Sequence, residues 1–449
     1  MTGKQLVCAI AFIPLGHFTF AQKKNIGDSV SKWSVHFQTT IISQFHSAFR
    51  SLYSGANSLA DSTEPLATSF TATVFIGRRL WKGATLYVNP ELSAGKGLSF
   101  ANGVAGALNG ETYRVGGVKP QLSLVRAYLQ QQISLNNSPS KTVEGSINQL
   151  ADNLPESRLT ITAGKFAISD FYDGNNYSKD PRTQFFNWSL WANGAWDYPA
   201  DTKGYTTGIV VELIKPEWAF RISSVAVPRI ANYHTMEFKL PGANAETIEY
   251  EHKLNICKKS GVLRLLLSEN LSKAPSYRDG INALSNGDQF IPAVIQGKTE
   301  GRSYGGKKFG IGLNLEQELT PVVGVFTRIG WNDGHYASWA FTEIDHTVSA
   351  GILTKGIKWK RPGDRFGVAA AINGLSEDHK EFLKNGGYGF IIGDGRLNYR
   401  NEYIVESFYN SCITSYFWLT VDYQFIGNPA YNKDRGPVHV FGIRLHLGI

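Results

Sequence analysis

Over most of its length the chain repeats one pattern, runs of about ten residues in which apolar and polar side chains alternate with a period of two. Trp33, Val35, Phe37, Thr39 and Ile41 share one face, while His36, Gln38 and Thr40 take the other. Phe70, Ala72, Val74 and Ile76 oppose Thr71 and Thr73, and Phe417, Leu419, Val421, Tyr423 and Phe425 alternate with Trp418, Thr420, Asp422 and Gln424. A period of two belongs to strands whose faces meet different surroundings. A tilted strand needs roughly ten residues to cross a bilayer, so the run length suits a membrane barrel. Helical spans are excluded, because no apolar run of roughly 18 residues follows the N-terminal segment.

The chemistry of the two faces separates a membrane barrel from a soluble sandwich, which would also alternate. The central outward positions of the clearest runs carry almost no charge, as a lipid-facing surface requires: a lysine or arginine at the bilayer midplane costs about 2 to 4 kcal/mol. The opposite faces carry Arg79, Glu91, Arg126, Glu316, Arg328 and Asp422, which would make a poor dry core and a suitable wet lumen. The expected fold is therefore all-β, a transmembrane antiparallel barrel of 16 strands.

The 16 runs lie near 33–46, 68–81, 84–95, 121–134, 158–167, 204–214, 217–227, 246–258, 261–271, 307–318, 322–332, 338–352, 365–374, 397–410, 414–426 and 438–449. An even number closes an antiparallel barrel with both ends on one rim. Links after even-numbered runs are mostly minimal, such as Lys82-Gly83, Lys215-Pro216, Lys259-Ser260 and Leu319-Thr320-Pro321. Links after odd-numbered runs are mostly long, including 47–67, 96–120, 168–203 and 272–306. Two segments break this rule: 135–157 on the short side, long enough for a small helix or plug, and the short link after Trp331.

Residues 1–21 have one lysine, an apolar run from Leu6 to about Phe20 and Thr19-Phe20-Ala21 before Gln22, the layout of a cleaved secretory signal. The expectation is a signal peptide over 1–21 and a single barrel domain over 22–449. Removing the signal takes away Lys4 and no acid, leaving 44 basic against 37 acidic residues, a charge of +7. The basic residues are dispersed, which points to solvated faces and lipid phosphates rather than nucleic acid. Cys257 and Cys412 lie far apart without metal-ligand spacing and read as isolated thiols. No cofactor or metal is expected: DFYDGNN lacks the ligand register of a calcium loop, and the glycines of 386–395 do not match a dinucleotide fingerprint.

The stretch from Gly164 to Gly208 is too long, aromatic and polar for an ordinary connection. It is expected to fold into the lumen and narrow it. A sugar presents C–H faces and an equator of hydroxyls, so a selective path needs flat rings beside hydrogen-bonding groups. The loop offers Trp188 and Trp196 among its rings, with Asp170, Asp173, Asn175, Asp180, Arg182, Asn187, Asp197 and Asp201 as polar partners. Arg79, Glu91, Arg126, Glu316 and Arg328 face them from the wall by parity. The plainer alternative is that loop Asp and Arg groups tie the loop to the wall, and that Trp33, Trp81, Trp218 and Trp331 anchor the barrel at the membrane interfaces. Loop carboxylates also admit a competing class, a secreted polysaccharide-degrading enzyme using Asp170, Asp173, Asp197 or Asp201.

Several long strings resemble the carbohydrate-selective porins of the OprB family: TSFTATVFIGRRLWKGATLYVNPELSAGKGL, DPRTQFFNWSLWANGAWDYPADTKGYTTG, GWNDG at 330–334, FTEIDHTVSAGI at 341–352 and NPAYNKDRGPV at 428–438. The resemblance spans about Trp33 to Leu447. It implies a monomeric barrel in the outer membrane of a Gram-negative bacterium, without enzymatic activity, that passes mono- or small oligosaccharides by diffusion. Its implied surroundings are outer-membrane lipid, lipopolysaccharide and the barrel-assembly machinery.

Overall fold

The computed structural model describes residues 31–112 and 117–449; the expected signal peptide at 1–21 lies outside them. Twenty strands follow in chain order: β1 (Trp33–His46), β2 (Glu64–Trp81), β3 (Ala84–Gly95), β4 (Gln121–Ser134), β5 (Ser140–Val143), β6 (Asp152–Pro155), β7 (Arg158–Phe166), β8 (Thr206–Ile214), β9 (Trp218–Val225), β10 (Val227–Pro228), β11 (Met236–Glu237), β12 (Asn244–Ile256), β13 (Lys259–Ser272), β14 (Gly306–Thr320), β15 (Val323–Asn332), β16 (His346–Lys355), β17 (Arg365–Gly374), β18 (Glu402–Thr414), β19 (Phe417–Gly427) and β20 (Val438–Gly448). Sixteen of them close a barrel in the order β1-β2-β3-β4-β7-β8-β9-β12-β13-β14-β15-β16-β17-β18-β19-β20. The seam is an antiparallel β1·β20 ladder running from Gln38 opposite Gly448 to His46 opposite Val440. Closure leaves no sheet edge, the condition for strands in lipid. No helix among the described residues is long and apolar enough to cross a membrane.

Burial alternates along each stave. Gln38, Thr40, Ile42 and Gln44 of β1 are buried toward the interior, while Ile209, Ile222, Leu265, Ile311, Ile329, Val348, Ile372, Val421 and Ile443 stand 39–53% exposed on the outside. With Val35 on β1, Leu86 and Leu92 on β3 and Leu122 on β4, which are also exposed, these side chains form an apolar outer belt of the kind a soluble monomer does not leave bare. On the other face, Glu91, Arg126, Glu249, Glu316, Arg328, Glu406 and Arg444 are buried within the barrel.

The rims differ as expected. Lys82-Gly83, Cys257-Lys258, Pro321-Val322 and Ser415-Tyr416 are two-residue turns. Cys257 and Lys258 both adopt positive φ (52° and 61°), matching the twist of the flanking strands. On the opposite rim every link is long. The link after β15 is long too, because the alternation seen at 338–345 is not a strand: β16 begins at His346. The backbone N–H groups of Trp339, Ala340 and Phe341 are taken by the Asp197 carboxylate, so they do not join the ladder. On the short side, 135–157 folds as the β5·β6 hairpin instead of a helix. Helices Tyr277–Ser285 and Glu377–Lys384 cover part of the long-loop rim, with Tyr277 stacked on His379 at 4.1 Å. Cys257 and Cys412 are free thiols.

Candidate functional site

The link between β7 and β8, residues 167–205, does not cross the rim in solvent. It begins with a bidentate pair: Arg126 on β4 donates to both oxygens of Asp170 at 2.7 Å. It then reaches the opposite wall. Asp173 accepts from Arg328 Nε on β15 at 2.9 Å and from Asn314 on β14, and its own N–H donates to Glu249 on β12. Arg328 also donates to the carbonyls of Leu190 and Ser178, so one buried guanidinium holds three points of the loop. The chain next turns toward β18–β20. Arg444 donates to the carbonyls of Pro181 and Gln184, while Glu406 accepts from the N–H groups of Phe186 and Asn187.

Two inward glycines fix the next contact. A Cβ at Gly330 would lie 1.9 Å from Asn193 Oδ1, and one at Gly312 would lie 2.3 Å from Asn193 Nδ2, so only bare backbone lets this turn touch the wall. The loop's rings pack together with one from the β15–β16 link: Trp188 packs on Trp191 and Tyr198 at centroid distances of 6.5 and 6.3 Å and on Phe341 of that link at 5.4 Å.

Since the loop lies against β12–β15 and β18–β20, it leaves open the arc of β1, β2, β4 and β8. There a chamber of about 450 Å³ is lined by three cationic groups, Arg126, Lys179 and Arg182, and three anionic ones, Asp170, Asp180 and Glu212. Phe75, Tyr128, Phe171 and Trp191 add rings, and Gln38, Gln130 and Asn148 add amides. Arg182 bridges three parts of the chain, donating through Nε to Glu111 at 2.8 Å and through Nη2 to Glu91 at 3.0 Å. Lys179 donates to the carbonyls of Tyr172 and Asp173; burial pulls its ammonium down to about 8, with nearby Asp173 acting in the opposite direction. Burial likewise pushes the Asp201 carboxyl up.

Of the residues expected from sequence to line the path, Asp170, Arg126 and Arg182 meet in this chamber. Glu91 stands behind Arg182, 1% exposed. Asn175 accepts from the N–H groups of Tyr177 and Ser178 and donates to Asn314. Asn187 caps the turn Trp188–Trp191, and Trp196 stands edge-on to Tyr172 at 6.0 Å. Asp197 binds the 339–341 amides, and Asp201 accepts from Lys203 and Tyr205 N–H. Glu316 accepts from Asn176, and Arg79 pairs with Asp152 at the short-turn rim. Asp180, also among the loop's expected polar partners, lines the chamber too, while Lys179, Glu212, Tyr128 and Phe75 line it without standing out in the sequence as path residues. Strand parity is the signal that puts Tyr128, Phe75 and Glu212 inside, whereas Lys179 and Asp180 lie in loop without a period.

An even-stranded closed barrel with an apolar outer belt, long loops on one rim and a lumen narrowed by an internal loop is a porin of the bacterial outer membrane. Its fold matches the high-pH structure of Pseudomonas putida OprB with a TM-score of 0.66, at 15% identity over 93% of this chain and 94% of that one. The chain belongs to the carbohydrate-selective porin OprB family, whose sequence model matches residues 62–448. Porin AaxA from Chlamydia trachomatis serovar L2 is 20% identical over 321 residues, as is Porin AaxA from serovar D; the match covers 70% of this chain and 58% of those relatives' length.

Proposed function

We propose that the protein lets mono- or small oligosaccharides diffuse through the outer membrane of a Gram-negative bacterium down their concentration gradient. In this reading residues 1–21 are a cleaved export signal, residues 22–449 are one barrel, the assembly machinery inserts it, and lipopolysaccharide surrounds its long-loop rim. The family to which the chain belongs supports a channel rather than an enzyme, and the chamber supports sugar as solute. Phe171, Tyr128 and Trp191 offer flat surfaces for C–H faces, while Arg126, Asp170 and Arg182 offer donors and acceptors for hydroxyls. Three cations against three anions leave the chamber without net charge, which favours solutes that carry none. Asp173, Asn175, Asn187, Trp188, Trp196, Asp197 and Asp201 act by holding the loop. Affinity stays weak, since a site that retains its solute does not conduct.

The observation that carries this reading is the meeting of paired charges and rings in the one arc of lumen that the loop leaves open. Liposome swelling with the purified protein tests it. Sugars should enter faster than through protein-free vesicles; equal rates would remove the transport role.

A further inference from the structure

We propose that the short-side hairpin β5·β6 and its connecting turn form a second constriction, in series with the first, which divides the lumen into two compartments. The proposal rests on the channel reading. A neutral polyhydroxy solute would meet both in turn.

The turn between β5 and β6, residues 144–151, bends into the barrel. Asn89 Nδ2 donates to Asn148 Oδ1 at 2.9 Å, and Leu150 N–H donates to the Tyr87 hydroxyl at 3.4 Å; both partners lie on the inward face of β3. Leu150 is 3% exposed and occupies the space beside Gly77, where a Cβ would come within 2.5 Å of its Cδ1. The wall thus carries a socket for the turn. Arg79 pairs with Asp152 at 2.9 Å and fixes the hairpin's base.

Below the upper chamber lies a second cavity of about 260 Å³, lined in part by Gln132, Thr160, Arg158 and Arg221. The two cavities share Gln130, Asn148 and Glu212, so the hairpin tip stands at the boundary. Ile147, 46% exposed, lines the upper one. Cavities that enclose drug-sized ligands begin at about 300 Å³. The lower compartment falls beneath that size and is the first that a solute approaching from the short-turn rim would meet.

Single-channel recording with neutral polyethylene glycols of graded mass, added to one side at a time, tests this. Replacing residues 140–155 by an Asn-Gly turn should raise conductance about twofold, as removing one of two comparable series resistances does. The polymer cut-off should rise on the short-turn side and stay unchanged on the long-loop side. Ile147→Cys in a Cys257→Ser/Cys412→Ser background should lose current when a bulky thiol reagent reacts. A shortened barrel that is folded by heat-modifiable mobility yet keeps the original conductance and short-side cut-off overturns the proposal. So does unchanged current after modification of Ile147→Cys, which decides the matter if the shortened chain does not fold. Unaltered protein that conducts nothing would instead overturn the channel reading itself.

Discussion

Arg182 is the group on which the narrowing should depend most, because it joins the loop to two buried carboxylates on separate elements. Glu91 and Glu111 have side chains 1% and 2% exposed, and besides Arg182 they accept from the hydroxyls of Thr73 at 2.6 Å and Thr71 at 2.9 Å. Arg182→Ala strips the guanidinium from both. Removing one partner of a buried pair costs about 3 to 5 kcal/mol, and Glu91 is the carboxylate that loses its guanidinium here. At about 1.4 kcal/mol per factor of ten, the balance between seated and released loop should shift by about two to three and a half orders of magnitude. Planar bilayer recording reads this as flicker between conductance levels. Reversal potentials in a KCl gradient should move toward cation preference, because the chamber's charge balance is lost. Arg182→Ala combined with Glu91→Gln and Glu111→Gln should restore most of the quiet baseline without restoring sugar block. A single Arg182→Ala channel with unaltered noise, selectivity and sugar block would refute the reasoning.

Lys179 gives a pH signature: its charge is present below about 8 and lost above it, so the K⁺ to Cl⁻ permeability ratio should rise between pH 7 and 9, and Lys179→Gln should hold the ratio at its high-pH value throughout. Because the folded value lies below the ordinary 10.5, this lysine's cost to stability is full below about 8 and is relieved as pH rises toward 10.5, which urea titrations across that range should register. Trp188→Ala should lower stability by about 3 to 5 kcal/mol through a cavity in the loop's ring cluster, while a folded sample keeps near-normal conductance in bilayers. Gly330→Leu puts a side chain where Asn193 sits and should raise both conductance and noise in recordings, with the barrel still resistant to unfolding in detergent.

The staves were legible because period-two alternation is imposed by two different solvents. The bounds of β1, β3, β4 and β17 follow from it directly. It failed where the backbone had another acceptor: 338–345 alternates like a stave, yet the Asp197 carboxylate takes four of its N–H groups. Turn positions slipped by a residue or two, as at Cys257-Lys258, because alternation continues past the bilayer and only backbone conformation ends the strand. In the loop the rings and carboxylates stand out in the sequence as unusual. Which of them meet solvent depends on contacts a linear pattern does not contain: Trp188 and Asp173 are spent on packing and on Arg328, while Lys179 and Asp180 reach the chamber.

The same contacts divide the inward wall into two chemical classes. Wherever the loop lies against the wall, it strips water from charged side chains, and each must then find a partner in protein. Arg328 finds Asp173 and two carbonyls, Arg444 finds two carbonyls, and Glu406 finds two backbone N–H groups. Fixed in this way, these groups act as mortar. On the uncovered arc Gln38, Phe75, Arg126, Tyr128, Gln130 and Glu212 face a chamber instead of backbone. Parity counts both classes alike as inward, and the loop's course decides between them. Selectivity should therefore respond to substitutions on β1, β2, β4 and β8, whereas equally inward substitutions beneath the loop should be felt first as loss of stability.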